Sequence, residues 1–431
     1  MPSSPSKLPS EPKVQAKNVN SSPFVPTTSI VLLALIALLG PLSMGIFLPA
    51  FPHISAEWHI RSDQLALTLS AYMLGTAVGQ LVYGPLIDRF GPFKPLMVGL
   101  GIYSVSLVVC YLSQNVETLS IARFIQALGA CASGLATRVV VRSTYPANQV
   151  SAAFSTLTLA MAISPIISPI LGDLLIDLKG WRSTFLALGG FAALSALVTW
   201  CWFPRLPGDL TTPFSLKEML QQYSAIMRNK TFLFYTLILS FSGACPVIFA
   251  SASAFVFMDD LHLSRFEYVL AFGLCGSGLV VGALINKWLL KTIPSDRLIV
   301  ISLLGQLLIV AGAGFFTEWH HLDLNELVGV VFLFFGFQGL LSPNATALSM
   351  SEFKDHIGIV SSLNLSISMV VMALGTWLVS RLKVNQVSDL FWIMTTFTLL
   401  AFALTFVYRV RLKFNISHPL RDVYLLLGEG K

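Results

Sequence analysis

The sequence predicts an all-α membrane protein with twelve transmembrane helices arranged as two pseudo-symmetric six-helix bundles. Three observations lead there. Hydrophobic residues make up 55% of the 431 residues and charged residues only 11%, far from the balance of soluble chains. The apolar residues gather into twelve runs, each near the ~20 residues with which a helix crosses ~30 Å of hydrocarbon. A longer polar stretch then divides those runs six and six.

Residues 1–27 are rich in Ser, Pro and Lys and hold too little apolar surface to offset the entropy of ordering, so a disordered cytoplasmic tail is expected. The apolar runs follow at about 28–50, 65–86, 95–113, 118–140, 152–176, 183–203, 232–257, 267–289, 297–316, 326–350, 357–380 and 389–409. The first is long enough to span rather than to serve as a cleaved leader. The bundles therefore cover 28–203 and 232–409. A cytoplasmic linker at 204–231 joins them, with a short surface helix expected after Ser215, and a cytoplasmic tail occupies 410–431.

Charge gives the orientation. Of the 27 Lys and Arg, 20 fall on one side of the alternating spans and six on the other, with Arg123 inside a span. Because Lys and Arg accumulate in cytoplasmic loops, both termini are placed inside. The net charge of +6 is thereby explained by topology, and no nucleic-acid partner is expected, since the bases form no stripe interleaved with aromatics. The five cysteines lie in or beside apolar runs without metal-ligand spacing and read as small hydrophobes. His320-His321 is at best a weak metal pair. No phosphate-cradling loop occurs, which excludes ATP hydrolysis by that route. No His, Asp or Ser constellation suggests an enzyme, and no cofactor is expected.

An internal repeat is visible. Gly84-x-Leu86-x-Asp88-Arg89 follows the second run, and Gly282-x-Leu284-x-Asn286-Lys287 follows the eighth, the equivalent place in a duplicated six-helix unit. With Gly91, the first copy resembles the loop signature G-x-L-x-D-R-x-G-R-R of the major facilitator superfamily. Further stretches resemble the bicyclomycin-resistance type of drug exporter within it. LTLSAYMLGTAVGQLVYGPL (67–86) is similar to the second helix of that type, and ARFIQALGACASG (122–134) to its fourth, with the superfamily arginine at Arg123. SPIISPILG (164–172) is similar to the antiporter signature of its fifth helix, and PNATAL (343–348) to its tenth. The resemblance covers about residues 28–410 and implies the major facilitator fold. There are departures. The acid those exporters commonly carry in the first helix, in a stretch like D-M-Y-L-P-A, is Gly45 here; Pro92-Phe93 replaces an arginine pair; Ser143 replaces an acid after Arg142.

The candidate gating residues are Gly84, Asp88, Arg89, Gly91, Pro165, Pro169 and Gly172. Gly84 would let a neighbouring helix approach closely, and Gly91 would permit a turn that a β-carbon forbids. The resemblance implies that Asp88 meets the positive amino-terminal end of the eleventh helix. Pro165, Pro169 and Gly172 share one face of the fifth helix by their spacing, and the resemblance implies that this face packs on the eighth helix and seals a cavity. Arg123 lies some five residues into the fourth helix, ~7 Å below its end, and is a candidate for both substrate binding and coupling. Asp173 is the carboxylate placed within a span, a candidate titrating group beside Arg123. Phe47, Tyr72, Phe337 and Asn344 complete the cavity candidates. A plain packing or solvation role stays open at each of these positions.

The resemblance implies a secondary transporter that exports small hydrophobic or amphipathic compounds by proton antiport, monomeric in the inner membrane and bathed in lipid. Its partners would be a small-molecule substrate and protons. The missing first-helix acid keeps two alternatives open: an exporter of an endogenous metabolite or siderophore, and a metabolite facilitator or importer without proton coupling.

Overall fold

Backbone in hydrocarbon must satisfy its own N–H and C=O groups, so each apolar run folds as a helix. The architecture is taken from a computed structural model describing residues 27–415 apart from 146, 204, 206–215, 321, 354–356 and 383–385. The first half comprises α1 (Thr27–Ala37), α2 (Leu39–Gly45), a 3-10 turn at Leu48–Ala50, α3 (Phe51–Trp58), α4 (Ala66–Phe90), α5 (Phe93–Leu112), α6 (Val116–Thr144), α7 (Ala147–Lys179) and α8 (Ser183–Trp202). Next comes the short α9 (Leu216–Met227), at the place expected for a surface helix. The second half comprises α10 (Lys230–Ala254), α11 (Arg265–Leu289), α12 (Ser295–Phe316), α13 (Leu324–Ser349), α14 (Ile357–Arg381) and α15 (Val387–Asn415).

Among the described residues, ten helices are long and apolar enough to cross a membrane, and the first span is an eleventh, bent by 41° between Ile30–Ala37 and Leu39–Trp58. The twelfth is α7, whose 33 residues are ample for a crossing. The starts of α6, α11 and α13 are capped: Asn115 accepts the Thr118 N–H at 2.8 Å, and Ser264/Glu267 and Asp323/Glu326 form reciprocal capping boxes. All three are even-numbered spans, so these caps share the face opposite the Asp88 end of α4.

Small residues bring the helices of each half together in matching ways. Gly79 of α4 lies against Cys131 of α6, and Gly282 of α11 lies against the backbone of Gly336 of α13. The halves meet chiefly where α4 runs along α14. There Ser70 and Thr376 share a hydroxyl hydrogen bond of 2.6 Å, and the Ser366 hydroxyl donates to the Ala77 carbonyl at 2.9 Å. The symmetry-related pair, α7 and α11, touches less extensively.

Two expectations about the signature are corrected. Gly84, Asp88 and Arg89 do not lie in a loop, because α4 continues through Pro85 to Phe90 before Gly91 turns the chain at φ +73°. Gly84 does not admit a neighbouring helix, since a β-carbon there would meet nothing within 4 Å. The helix persists through Pro85 because the carbonyl that a proline strands, four residues earlier at Leu81, accepts the Tyr223 hydroxyl of α9 at 3.1 Å. In the same region Tyr223 and Ile226 join Val360 and Leu363 of α14 in one apolar cluster against which Leu81 packs. Residues 354–356, which lead into α14 and at which the expected Asp88 contact is aimed, lie outside the described residues.

Candidate functional site

Two adjoining chambers lie where the halves face each other. The first, of about 250 Å³, is walled by α1, α2, α4, α6 and α7 from one half and by Leu365 and Met369 of α14 from the other. Tyr72, Met73, Thr76, Gln80, Cys131, Arg138 and Met161 line it from the first half. The second, of about 240 Å³, is walled by α2 and by Pro246, Val247, Phe272 and Phe335 of α10, α11 and α13. Pro41 and Met44 belong to both, so α2 is the partition between them.

Of the expected cavity residues, Tyr72 lines the first chamber, and Arg123 lies behind it with no exposed surface. Its guanidinium is held between the rings of Tyr72, 4.4 Å away, and Phe47, 4.9 Å away. Each such contact favours the cation by ~0.5–2 kcal/mol. Arg123 Nη1 donates to the Ser43 carbonyl at 3.0 Å and to Gln126 Oε1 at 2.7 Å. Around it, the Ser43 and Tyr103 hydroxyls share a 2.5 Å hydrogen bond, and the Tyr72 hydroxyl donates to the Gly40 carbonyl at 2.9 Å. Nε and Nη2 of Arg123 have no hydrogen-bond partner among the described residues.

The second half holds an uncharged counterpart, built from its own first, third and fourth helices. Ser242 Oγ lies 2.8 Å from Gln306 Oε1 and 2.5 Å from Gln338 Oε1, and Gln306 Nε2 donates to Gln338 Oε1 at 2.7 Å. The duplication has thus kept a buried polar cluster in each half and a charge in only one.

Phe337 faces away from both chambers: its ring fills the space beside Gly305 of α12. Asn344 lines neither chamber and donates to Asn286 Oδ1 at 2.6 Å and to the Leu340 carbonyl at 2.7 Å. Asn286 is the repeat's counterpart of Asp88, so in the second half that position is satisfied by its own α13. Arg89 lies over the Phe90 ring at 5.4 Å. Asp173 is half-buried on α7 and is not among the hydrogen-bond partners of Arg123.

Gly172 and Pro169 of α7 lie close to α2 of their own half, and α7 also touches α11, the eighth span, with which the resemblance implied contact. A β-carbon on Gly172 would strike the Ile46 carbonyl, and one on Gly45 would fall 2.9 Å from Ser168 Cβ, closer to its hydroxyl, and 3.7 Å from Pro169 Cδ. The position at which the exporters carry an acid is therefore a seam filled by Ser168. Pro165 lies within α7, but its side chain lies outside the description.

Sequence reasoning missed Ser43, Tyr103 and Gln126, although Gln126 stands one helical turn from Arg123 and could have been found by that spacing. It also counted Arg138, at the inner end of the expected run 118–140, only among the cytoplasmic bases and did not name it as a cavity residue. The residue lies inside α6, which runs on to Thr144, and it lines the first chamber.

Two six-helix halves meeting around membrane-embedded chambers define a carrier of small molecules. The chain belongs to the Major Facilitator Superfamily, whose family model matches residues 33–376. It is therefore a multi-pass membrane transporter and not an enzyme. It is 26% identical to the multidrug resistance protein D of Escherichia coli (strain K12) over 339 residues, covering 78% of this chain and 84% of that one. It is 23% identical over 371 residues to the bicyclomycin resistance protein homolog of Haemophilus influenzae (strain ATCC 51907 / DSM 11121 / KW20 / Rd), covering 85% and 92%. Among solved structures, a bacterial homologue of the human lysosomal transporter Spinster shares the fold with a TM-score of 0.67 at 15% identity, covering 88% of this chain and 96% of that one.

Proposed function

We propose that the protein exports small hydrophobic or amphipathic compounds by alternating access, with protons entering in exchange. The observation that carries this reading is the first chamber, which draws its walls from both halves and is lined by Tyr72, Met73, Met161 and Met369. Thioether side chains are flexible and polarisable and adapt to varied apolar shapes, as surfaces that bind many ligands require. The names of the Escherichia coli and Haemophilus influenzae relatives, which speak of multidrug and bicyclomycin resistance, point the same way. Asp173 is the candidate proton carrier on α7, and the excess of bases on the Asp88 side supports cytoplasmic termini in an inner membrane. The protein would act as a monomer.

The Gly45 seam favours a second reading, a carrier that works without proton coupling. One experiment separates the two. Protein in liposomes is given a pH gradient and an apolar antibiotic. Accumulation that disappears when the gradient is collapsed, and in a folded Asp173→Asn variant, is the result expected for antiport. Equilibration indifferent to the gradient would establish the facilitator instead.

A further inference from the structure

We infer that the first chamber is selective for amphipathic anions, molecules with an apolar body and a carboxylate, which Arg138 receives. The inference rests on the reading of this chamber as the substrate site and specifies what it admits. Arg138 is the only charged residue in the wall of either chamber among the described residues. It has no hydrogen-bond or ion-pair partner among them. A guanidinium presents paired N–H donors whose geometry matches a carboxylate, and a partly buried one without a counter-ion draws anions to itself. Around it, Gln80 contributes an amide and the methionines an apolar surface.

The packing reinforces this polarity. An acid on α2 would set a negative charge beside the chambers, but Gly45 lines the second chamber and Ser168 fills the space its side chain would need. The other nearby charge, Arg123, is also positive and lies behind the Tyr72 ring. An ammonium ligand in the first chamber would therefore face the Arg138 cation and no carboxylate in its wall. Size is compatible with a bicyclic aromatic, since a dry cavity of ~150 Å³ already admits benzene and the first chamber is larger.

The test uses three probes of nearly one shape and different charge: 2-naphthoate, 2-naphthamide and 2-naphthylmethylammonium. Binding to the purified full-length protein is measured by thermal stabilisation and by displacement titration. Wild-type protein should bind the carboxylate about tenfold more tightly than the amide, the difference between a charge-assisted and a neutral contact, and the ammonium most weakly. Arg138→Gln should bring carboxylate and amide together, and Arg138→Glu should reverse the order. Equal or tighter binding of the ammonium by wild type would overturn the inference and leave the amphipath-carrier reading standing. An anion preference unchanged in both variants would overturn the assignment to Arg138. Failure of all three probes to bind would remove the reading of this chamber as an amphipath site, and this inference with it.

Discussion

Substituting Gly45 tests whether the missing first-helix acid is a consequence of packing. In the structure, α2 and α7 touch so closely that a β-carbon on Gly45 would fall 2.9 Å from Ser168 Cβ, with the serine hydroxyl nearer still. Backbone on both sides limits relief, since Gly172 presses on the Ile46 carbonyl one turn away. Gly45→Ala should therefore carry the cost of an overfilled core, ~1–3 kcal/mol. At roughly 2–4 °C per kcal/mol for a unit of 150–250 residues, the melting temperature should fall by roughly 2–12 °C. Ser168→Gly alone should lose only about 0.5 kcal/mol, the difference in helix propensity. The double variant should recover most of the loss, a coupling expected of residues in contact. Gly45→Asp should be worse than Gly45→Ala, because it forces a carboxylate into the same seam. Tryptophan fluorescence during heating in detergent reads all four variants. If Gly45→Ala melts with wild type, the seam is not tight and the absence of the acid needs another explanation.

Two further outcomes can be checked the same way. Tyr223→Phe removes the hydroxyl that satisfies the Leu81 carbonyl stranded by Pro85, and should cost ~1–3 kcal/mol for an unpaired carbonyl, whereas Tyr223→Phe in a Pro85→Ala background should cost clearly less. Glu352, between α13 and α14, accepts hydrogen bonds from Thr231 and from Asn229, the latter at 2.6 Å, and these hold its carboxyl below the usual glutamate value of 4.5. A depressed folded-state pKa contributes stability above the unfolded value that is lost as pH falls through the folded one. Glu352→Ala should therefore lower the melting temperature at neutral pH and converge with wild type in acid; a gap independent of pH would show that the carboxylate charge contributes nothing.

The helices were legible because hydrocarbon leaves the chain few options: apolar length suffices for the spans. The repeat was legible from its motif, although its paired glycines play different parts, since Gly282 lies against the Gly336 backbone and Gly84 meets nothing within 4 Å. What stayed hidden depended on rotation and partners. Phe337 and Tyr72 are both aromatics within spans, yet one fills space against α12 and the other lines a chamber, and neither composition nor a short motif fixes which way a helix is turned. Gly84 looked like a contact glycine from its motif, while Gly45, noted only for lacking an acid, proved to be the tightly packed one. Arg123 was recognisable as a deep charge, but Ser43 and Tyr103 come from other helices and only the folded chain brings them to it. The helix through Pro85 is supported by a tyrosine more than a hundred residues away, whose hydroxyl bonds the carbonyl the proline strands.

The shared wall formed by Pro41 and Met44 ties the two chambers to a single mechanical variable. Because α2 begins just past a 41° bend in the first span, straightening that span would move one surface toward one chamber and away from the other. Room gained by an apolar tail on one side is then room withdrawn from a polar head on the other. A long ligand lodged across the wall would feel both changes at once, so its shape would act on the bend much as the bend acts on its fit.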